Sequence, residues 1–137
     1  MAALNINSLL AHLDDLKFFV LDSKIDVLAI KETKIDSSVN DNEIYLPGFA
    51  VVRKDRFVYG RSGGGVCIYL RSNINYQIHN DLRDDCLECV FIQIIRPFPD
   101  LLLSVQLNKS VFIKCFNKND IKLNMKATFA VMKYEER

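Results

Sequence analysis

No run of apolar residues in this sequence is longer than a β-strand needs. Runs such as Val27-Leu28-Ala29-Ile30 and Leu101-Leu102-Leu103 are strand-sized, far from the roughly 18 consecutive apolar residues of a membrane helix. The start of the chain has no basic segment leading into an apolar stretch and a small-residue cleavage site, so no signal peptide is expected and the protein reads as intracellular. Cysteine is sparse: the four residues at 67, 86, 89 and 115 do not make a disulfide framework for a chain of this size. Cys86 and Cys89 have the spacing of half a zinc knuckle, but no second pair or suitably spaced histidine follows, and a tetrahedral site needs about four ligands. They read as small strand residues. There are only two histidines: His12 inside a predicted helix and His79 in a polar loop. An excess of one charge is lacking too. Residues 1 to 103 carry 11 Lys or Arg against 14 Asp or Glu, and residues 104 to 137 carry 7 against 3. That balance does not advertise a nucleic-acid face.

What is present is the composition of one folded domain. Half of the 137 residues are apolar and a quarter charged, enough for a core and too little chain for two ordinary domains. Residues 2 to 7 predict a short strand. Asn7 or Ser8 can then cap a helix, because either side chain accepts a backbone N–H at the first turn. Leu9, Leu13, Leu16 and Val20 recur at helical spacing, with Leu10 and Phe19 widening the stripe and Asp14 and Asp15 on the outer face, which predicts a helix to about Ser23. Residues 25 to 31 form a near-continuous apolar strand, the pattern of a strand covered on both faces. Strand, helix and strand in 30 residues make a βαβ unit, whose strands run parallel with their C-terminal ends together.

That step brings Asn5 and Glu32 to one end of the sheet. An amide carbonyl and a carboxylate at adjacent strand ends are half of a magnesium site for phosphodiester chemistry. Taken alone they are also ordinary strand-end polar residues, and Asn7 an ordinary cap. Further strands are predicted at Phe49 to Arg53, Val66 to Arg71, Asn73 to Ile78, Leu87 to Ile95 and residues 101 to 106. The glycines Gly63-Gly64-Gly65 suggest a phosphate loop. Such a loop leads into a helix, whereas these lead into Val66-Cys67-Ile68-Tyr69-Leu70, so close strand packing or a bulge is the better account. After Ser104 glycine and proline vanish, and Lys and Asn become dense. There, Val111-Phe112-Ile113 and Ala127 to Met132 fit strand or helix equally.

Six segments together resemble the endonuclease domain of LINE-type non-LTR retrotransposons, of the endonuclease/exonuclease/phosphatase superfamily. They are Asn5-Ile6-Asn7-Ser8-Leu9, Ile25-Asp26-Val27-Leu28-Ala29-Ile30, Glu32-Thr33-Lys34, Tyr45-Leu46-Pro47-Gly48-Phe49, Val52-Arg53-Lys54-Asp55-Arg56 and Gly63-Gly64-Gly65-Val66-Cys67-Ile68-Tyr69. The resemblance implies an α/β (α+β) fold, a partial β sandwich with a flanking helix. It also implies Mg²⁺ as cofactor, DNA as partner, no membrane, and a nuclear location if the chain acts on DNA. By resemblance Asn5 positions the scissile phosphate, Asn7 matches a nearby polar position and Glu32 is the metal-binding glutamate. The residue before that glutamate is usually Gln or Asn, and here it is Lys31.

The resemblance covers residues 4 to 103. The family's tyrosine-bearing strand, Gly-Asp-Phe-Asn-type motif and C-terminal Ser-Asp-His have no counterpart after Leu103. The expectation is therefore a truncated endonuclease domain over residues 1 to 103, inactive alone, followed by an out-of-family tail over 104 to 137. Half a sandwich would leave an uncovered sheet open to self-association. The alternative is a non-catalytic module that binds protein or nucleic acid through the exposed sheet or the basic tail.

Overall fold

The computed structural model describes residues 2–56, 63–79, 89–96, 101–106, 112–115 and 130–133. Residues 57–62 of the charged connection, Cys86, and most of the Lys/Asn-rich tail lie outside these described residues. The chain begins with β1 (Ala2–Asn5), a 3-10 turn at Leu10–His12, α1 (Leu13–Asp22) and β2 (Val27–Lys31). β1 and β2 are parallel, with Leu4 level with Ile30 and Asn5 level with Lys31. The βαβ unit is present, and its physical reason is the one read above: four consecutive buried residues, Val27 to Ile30, need cover on both faces of β2.

The first sheet runs β3 (Phe49–Lys54), β4 (Val66–Arg71), β2, β1 and β9 (Ala130–Lys133). A second sheet of β5 (Asn75–Ile78), β6 (Cys89–Arg96), β7 (Leu101–Gln106) and β8 (Phe112–Cys115) packs on it. The fold is therefore a mixed α+β architecture with two stacked sheets. Alternation sorts the first sheet's side chains between two cores. Ala2, Leu4, Leu28, Ile30, Cys67 and Tyr69 face α1 and the loop around Ile35, Ile44 and Leu46. Ala3, Val27, Ala29, Val52, Val66, Ile68 and Leu70 face Val90, Ile92, Ile94, Leu103 and Val105 of the second sheet. Each fully buried Leu, Ile or Val contributes about 1.5–3 kcal/mol, so the central strands β1, β2 and β4 carry the fold.

Both faces of the first sheet are thus covered. Among the described residues, the far face of the second sheet presents half-buried Phe91 and Gln93 and exposed Ile95. The two ambiguous tail segments enter as edge strands: β8 pairs antiparallel with β7, and β9 lies parallel to β1.

Several local expectations differ from the structure; β2 and β5, for example, begin at Val27 and Asn75. Leu10 does not widen the helical stripe; it is 48% exposed, because Leu10–His12 forms a 3-10 turn whose three-residue period rotates it off the face that Leu16 and Val20 bury. The first strand stops at Asn5 rather than residue 7, because Asn7 and Ser8 adopt φ of 49° and 93°, outside the β region. Neither Asn7 nor Ser8 caps the helix: the N-cap positions are Leu9 for the turn and His12 for α1, neither with a side-chain cap bond, and Ser8 Oγ accepts only the Ala11 backbone N–H at 3.4 Å.

Candidate functional site

The candidate site forms where β1 and β2 end and β4 begins. In register across the first sheet, Lys54, Val66, Lys31 and Asn5 occupy one row. By alternation all four lie on the face of Val52, Ala29 and Ala3, which is the face turned toward the second sheet. Asn5 is exposed and Lys31 half-buried. Partial burial pushes the Lys31 ammonium below its ordinary value, since desolvation disfavours the charged form.

Beyond the row the chain enters a tightly knit clasp. Asn7, Ser8, Glu32 and Lys34 all have positive φ, as do Gly64 and Gly65. Four non-glycine residues in that region within two adjoining loops is a concentration of backbone strain of the kind that surrounding bonds must over-determine. Those bonds are present. Ser8 N–H donates to the Glu32 carbonyl and Leu9 N–H to the Thr33 carbonyl, both at 2.9 Å, while Thr33 and Lys34 N–H donate to the carbonyls of Gly65 and Gly64 at 3.2 and 2.8 Å. The Glu32 carboxylate is itself fixed: its Oε2 accepts a hydrogen bond from Gly64 N–H at 3.0 Å.

The glycine triplet serves this clasp. A Cβ on Gly63 would stand 3.2 Å from Glu32 Oε2, and one on Gly65 would stand 2.2 Å from Thr33 Oγ1. Close backbone approach is therefore the reason for the glycines, and no helix follows them. Thr33 is 1% exposed and its hydroxyl has no hydrogen-bond partner among the described residues. Sequence reasoning did not single out Thr33. The signal was there, in a glycine triplet ahead of a strand that must pack against something close.

Arg53 was also missed as a determinant. Its guanidinium makes five hydrogen bonds: Nε and Nη2 donate to the two Asp55 carboxylate oxygens at 2.8 Å, Nη1 to the Val39 carbonyl at 2.7 Å and Asp41 Oδ1 at 3.0 Å, and Nη2 to the Asp36 carbonyl at 3.0 Å. All five N–H groups of the fork are satisfied. Arg53 therefore anchors the 36–41 loop that follows Glu32, and by alternation it lies on the opposite face of β3 from Lys54 and the row.

A cleft of about 110 Å³ opens between the sheets at the Lys54 end of this row, lined by Lys54, Ile78, His79, Cys89, Val90 and Phe91 among others. His79 is half-buried, and its Nε2 lies 2.8 Å from Gln93 Oε1. It is a bonded residue of the sandwich mouth rather than a loose loop histidine.

The structure thus places Asn5, Asn7 and Glu32 at one end of the first sheet. Mg²⁺ takes six oxygen ligands and is usually held by one or two carboxylates together with waters and substrate phosphates. No cluster of three or more His, Cys, Asp or Glu stands here among the described residues. Glu32 contributes one carboxylate, already engaged at Oε2, and Lys31 sets an ammonium one residue away. These residues do not by themselves form a magnesium site.

No family model matches the chain, and no curated protein sequence does either. Two solved structures show a likeness to the chain. One is an AP endonuclease from Leishmania major, at 16% identity and a TM-score of 0.49. The other is a variant of a 3′ phosphatase from Neisseria bound to a product DNA hairpin, at 17% identity and a TM-score of 0.41. The alignments cover 83% of this chain and 38% and 39% of those chains, so it spans well under half their length. Among the described residues no helix is long and apolar enough to cross a membrane.

Proposed function

We propose that residues 4 to 103 correspond to the N-terminal part of a Mg²⁺-dependent DNA endonuclease domain of the non-LTR retrotransposon type, and that the 137-residue chain does not nick DNA by itself. The observation that carries the reading is the clasp. Glu32, the residue matched to the family's metal glutamate, stands in a left-handed backbone conformation with its carboxylate held by Gly64 N–H, beside the strand end that bears Asn5. A solvent-facing glutamate of no consequence would not need strain and three loops to aim it. Inactivity follows from chemistry rather than position. Loss of a general base alone costs about 10²–10⁴ in rate, and groups that act as a unit fail together.

The test is nicking of supercoiled plasmid by the purified chain in Mg²⁺, beside Glu32→Ala. The expected result is no nicking above the variant. Nicking that requires both Mg²⁺ and Glu32 would overturn the inactive reading while supporting the nuclease ancestry. Nicking unaffected by Glu32→Ala would count against any role for that carboxylate.

A further inference from the structure

The outer side of α1 is apolar where a helix packed on one sheet would carry polar residues. Phe18 and Leu21, about one turn apart, are 70% and 74% exposed. Beside them a cavity of about 220 Å³ opens between the helix, the turn before β3 and the end of β4, lined by Lys17, Val20, Leu21, Pro47, Phe49 and Arg71. The charges around this strip sort by sign. Lys17 lies on the cavity flank, where the Arg71 guanidinium stands 4.6 Å from the centre of the Phe49 ring and 3.5 Å from Asp26. Asp15 and Asp22 lie on the other flank, Asp15 beside His12 at 3.8 Å and Asp22 exposed. Asp14 stands in the strip itself, one turn before Phe18. Written as a heptad, Lys17, Phe18, Leu21 and Asp22 take the positions g, a, d and e.

We propose that this strip is a self-association surface, on which a second copy of this chain lays its α1 parallel to the first about a two-fold axis. In that arrangement the a and d positions of the two helices meet along one seam, and the g flank of each faces the e flank of the other. Phe18 of each copy enters the other's cavity, and Lys17 pairs with Asp22 of the partner subunit on both sides of the axis, as an isologous contact requires. An antiparallel pair would instead set cation against cation and carboxylate against carboxylate, which is costly. A ten-residue helix is too short to pair on its own. Here α1 is already held on the first sheet through Leu16 and Val20, so association carries no cost of helix formation. Phe18 and Leu21 of two copies remove roughly 500 Å² from water, about half of what a specific interface needs, so the dimer is a weak one. The surface lies on the opposite face of the first sheet from the row of Asn5 and Lys31, and it does not depend on the nuclease reading.

Sedimentation velocity of the full chain, at loading concentrations from about 10 to 500 µM, tests this. The weight-average sedimentation coefficient is expected to rise with concentration toward that of a dimer and no further. Phe18→Ser is expected to abolish the rise. It removes a side chain that is already exposed, so the far-UV circular dichroism and the urea midpoint should stay as they were. Asp14→Leu is expected to tighten the dimer several-fold, because it takes a like-charge pair out of the seam and adds apolar area. Lys17→Glu and Asp22→Lys are each expected to weaken it several-fold, and the double variant to restore it. A species of monomer mass at every concentration overturns the proposal and leaves the strip to a different partner. Association that survives Phe18→Ser also overturns it, and would move the contact to another surface such as the far face of the second sheet around Phe91 and Ile95. Charge reversals that fail to rescue one another overturn the parallel pairing. None of these outcomes bears on plasmid nicking, so the dimer and the nuclease ancestry stand or fall separately.

Discussion

Gly65→Ala is the substitution on which the account of the clasp is most exposed to refutation. Its φ is +87° and an added Cβ would stand 2.2 Å from Thr33 Oγ1. The left-handed conformation costs an L-residue about 1–2 kcal/mol, and forcing extra volume into a packed site costs about 1–3 kcal/mol. Restricting the unfolded chain returns about 0.4–1 kcal/mol. The net expectation is a destabilisation of roughly 2–4 kcal/mol. Thr33→Ala alone should cost little. Its hydroxyl has no partner among the described residues to lose, leaving only a buried methyl at about 0.8 kcal/mol. In the double variant the clash is gone, since the remaining neighbours of that Cβ, Arg56 N and Thr33 Cβ, lie at 3.4 and 3.5 Å. Only the backbone strain then persists. A double-mutant cycle by urea denaturation should therefore show a coupling of about 1–3 kcal/mol in the rescuing direction. Strict additivity would refute the argument, and so would a Gly65→Ala protein of unchanged stability.

Arg53→Met should destabilise the chain by about 3–5 kcal/mol, because it strands Asp55 and two carbonyls that the guanidinium now satisfies; Arg53→Lys should recover less than half, an ammonium being unable to span the fork. Urea midpoints decide it, and a loss below about 1 kcal/mol would mean that the five bonds are replaced by water. The Ser38 side-chain and backbone hydrogen bonds, with help from Arg56 and against a small effect of burial, hold the Asp36 carboxyl below its ordinary value. A folded-state value below the unfolded one gives a contribution present above about pH 4 and lost as the pH falls through the folded value. Ser38→Ala should move the Asp36 titration midpoint upward when followed by carboxyl carbon shifts, and an unmoved midpoint would show that the serine is not the cause.

How much of this was legible beforehand varies by element. The 4-3-4 spacing of Leu9, Leu13, Leu16 and Val20 sufficed for α1, because a helix that buries one stripe leaves that period in the sequence. The unbroken Val27-Leu28-Ala29-Ile30 run sufficed for a doubly covered β2. From those two elements the meeting of Asn5 and Glu32 at one sheet end follows by chain geometry. Leu10 was misread because a 3-10 turn and the start of an α-helix differ by a fraction of a residue per turn, which three residues cannot reveal. The tail strands could not be assigned, since edge strands are specified by the neighbour they find and not by their own pattern.

The sequence by itself determined the local order of strands and helix, the identity of the polar residues at the strand ends, and the presence of three glycines before β4. Periodicity and backbone sterics act over a few residues, and a few residues are enough to write them. Tertiary structure alone decided what those glycines are for, why Arg53 is needed, and that Lys31 and Lys54 share a face with Asn5. Each of those depends on residues from separate strands or loops arriving within ångströms of one another. That proximity is created by pairing register and sheet stacking, and no single segment of the chain contains it.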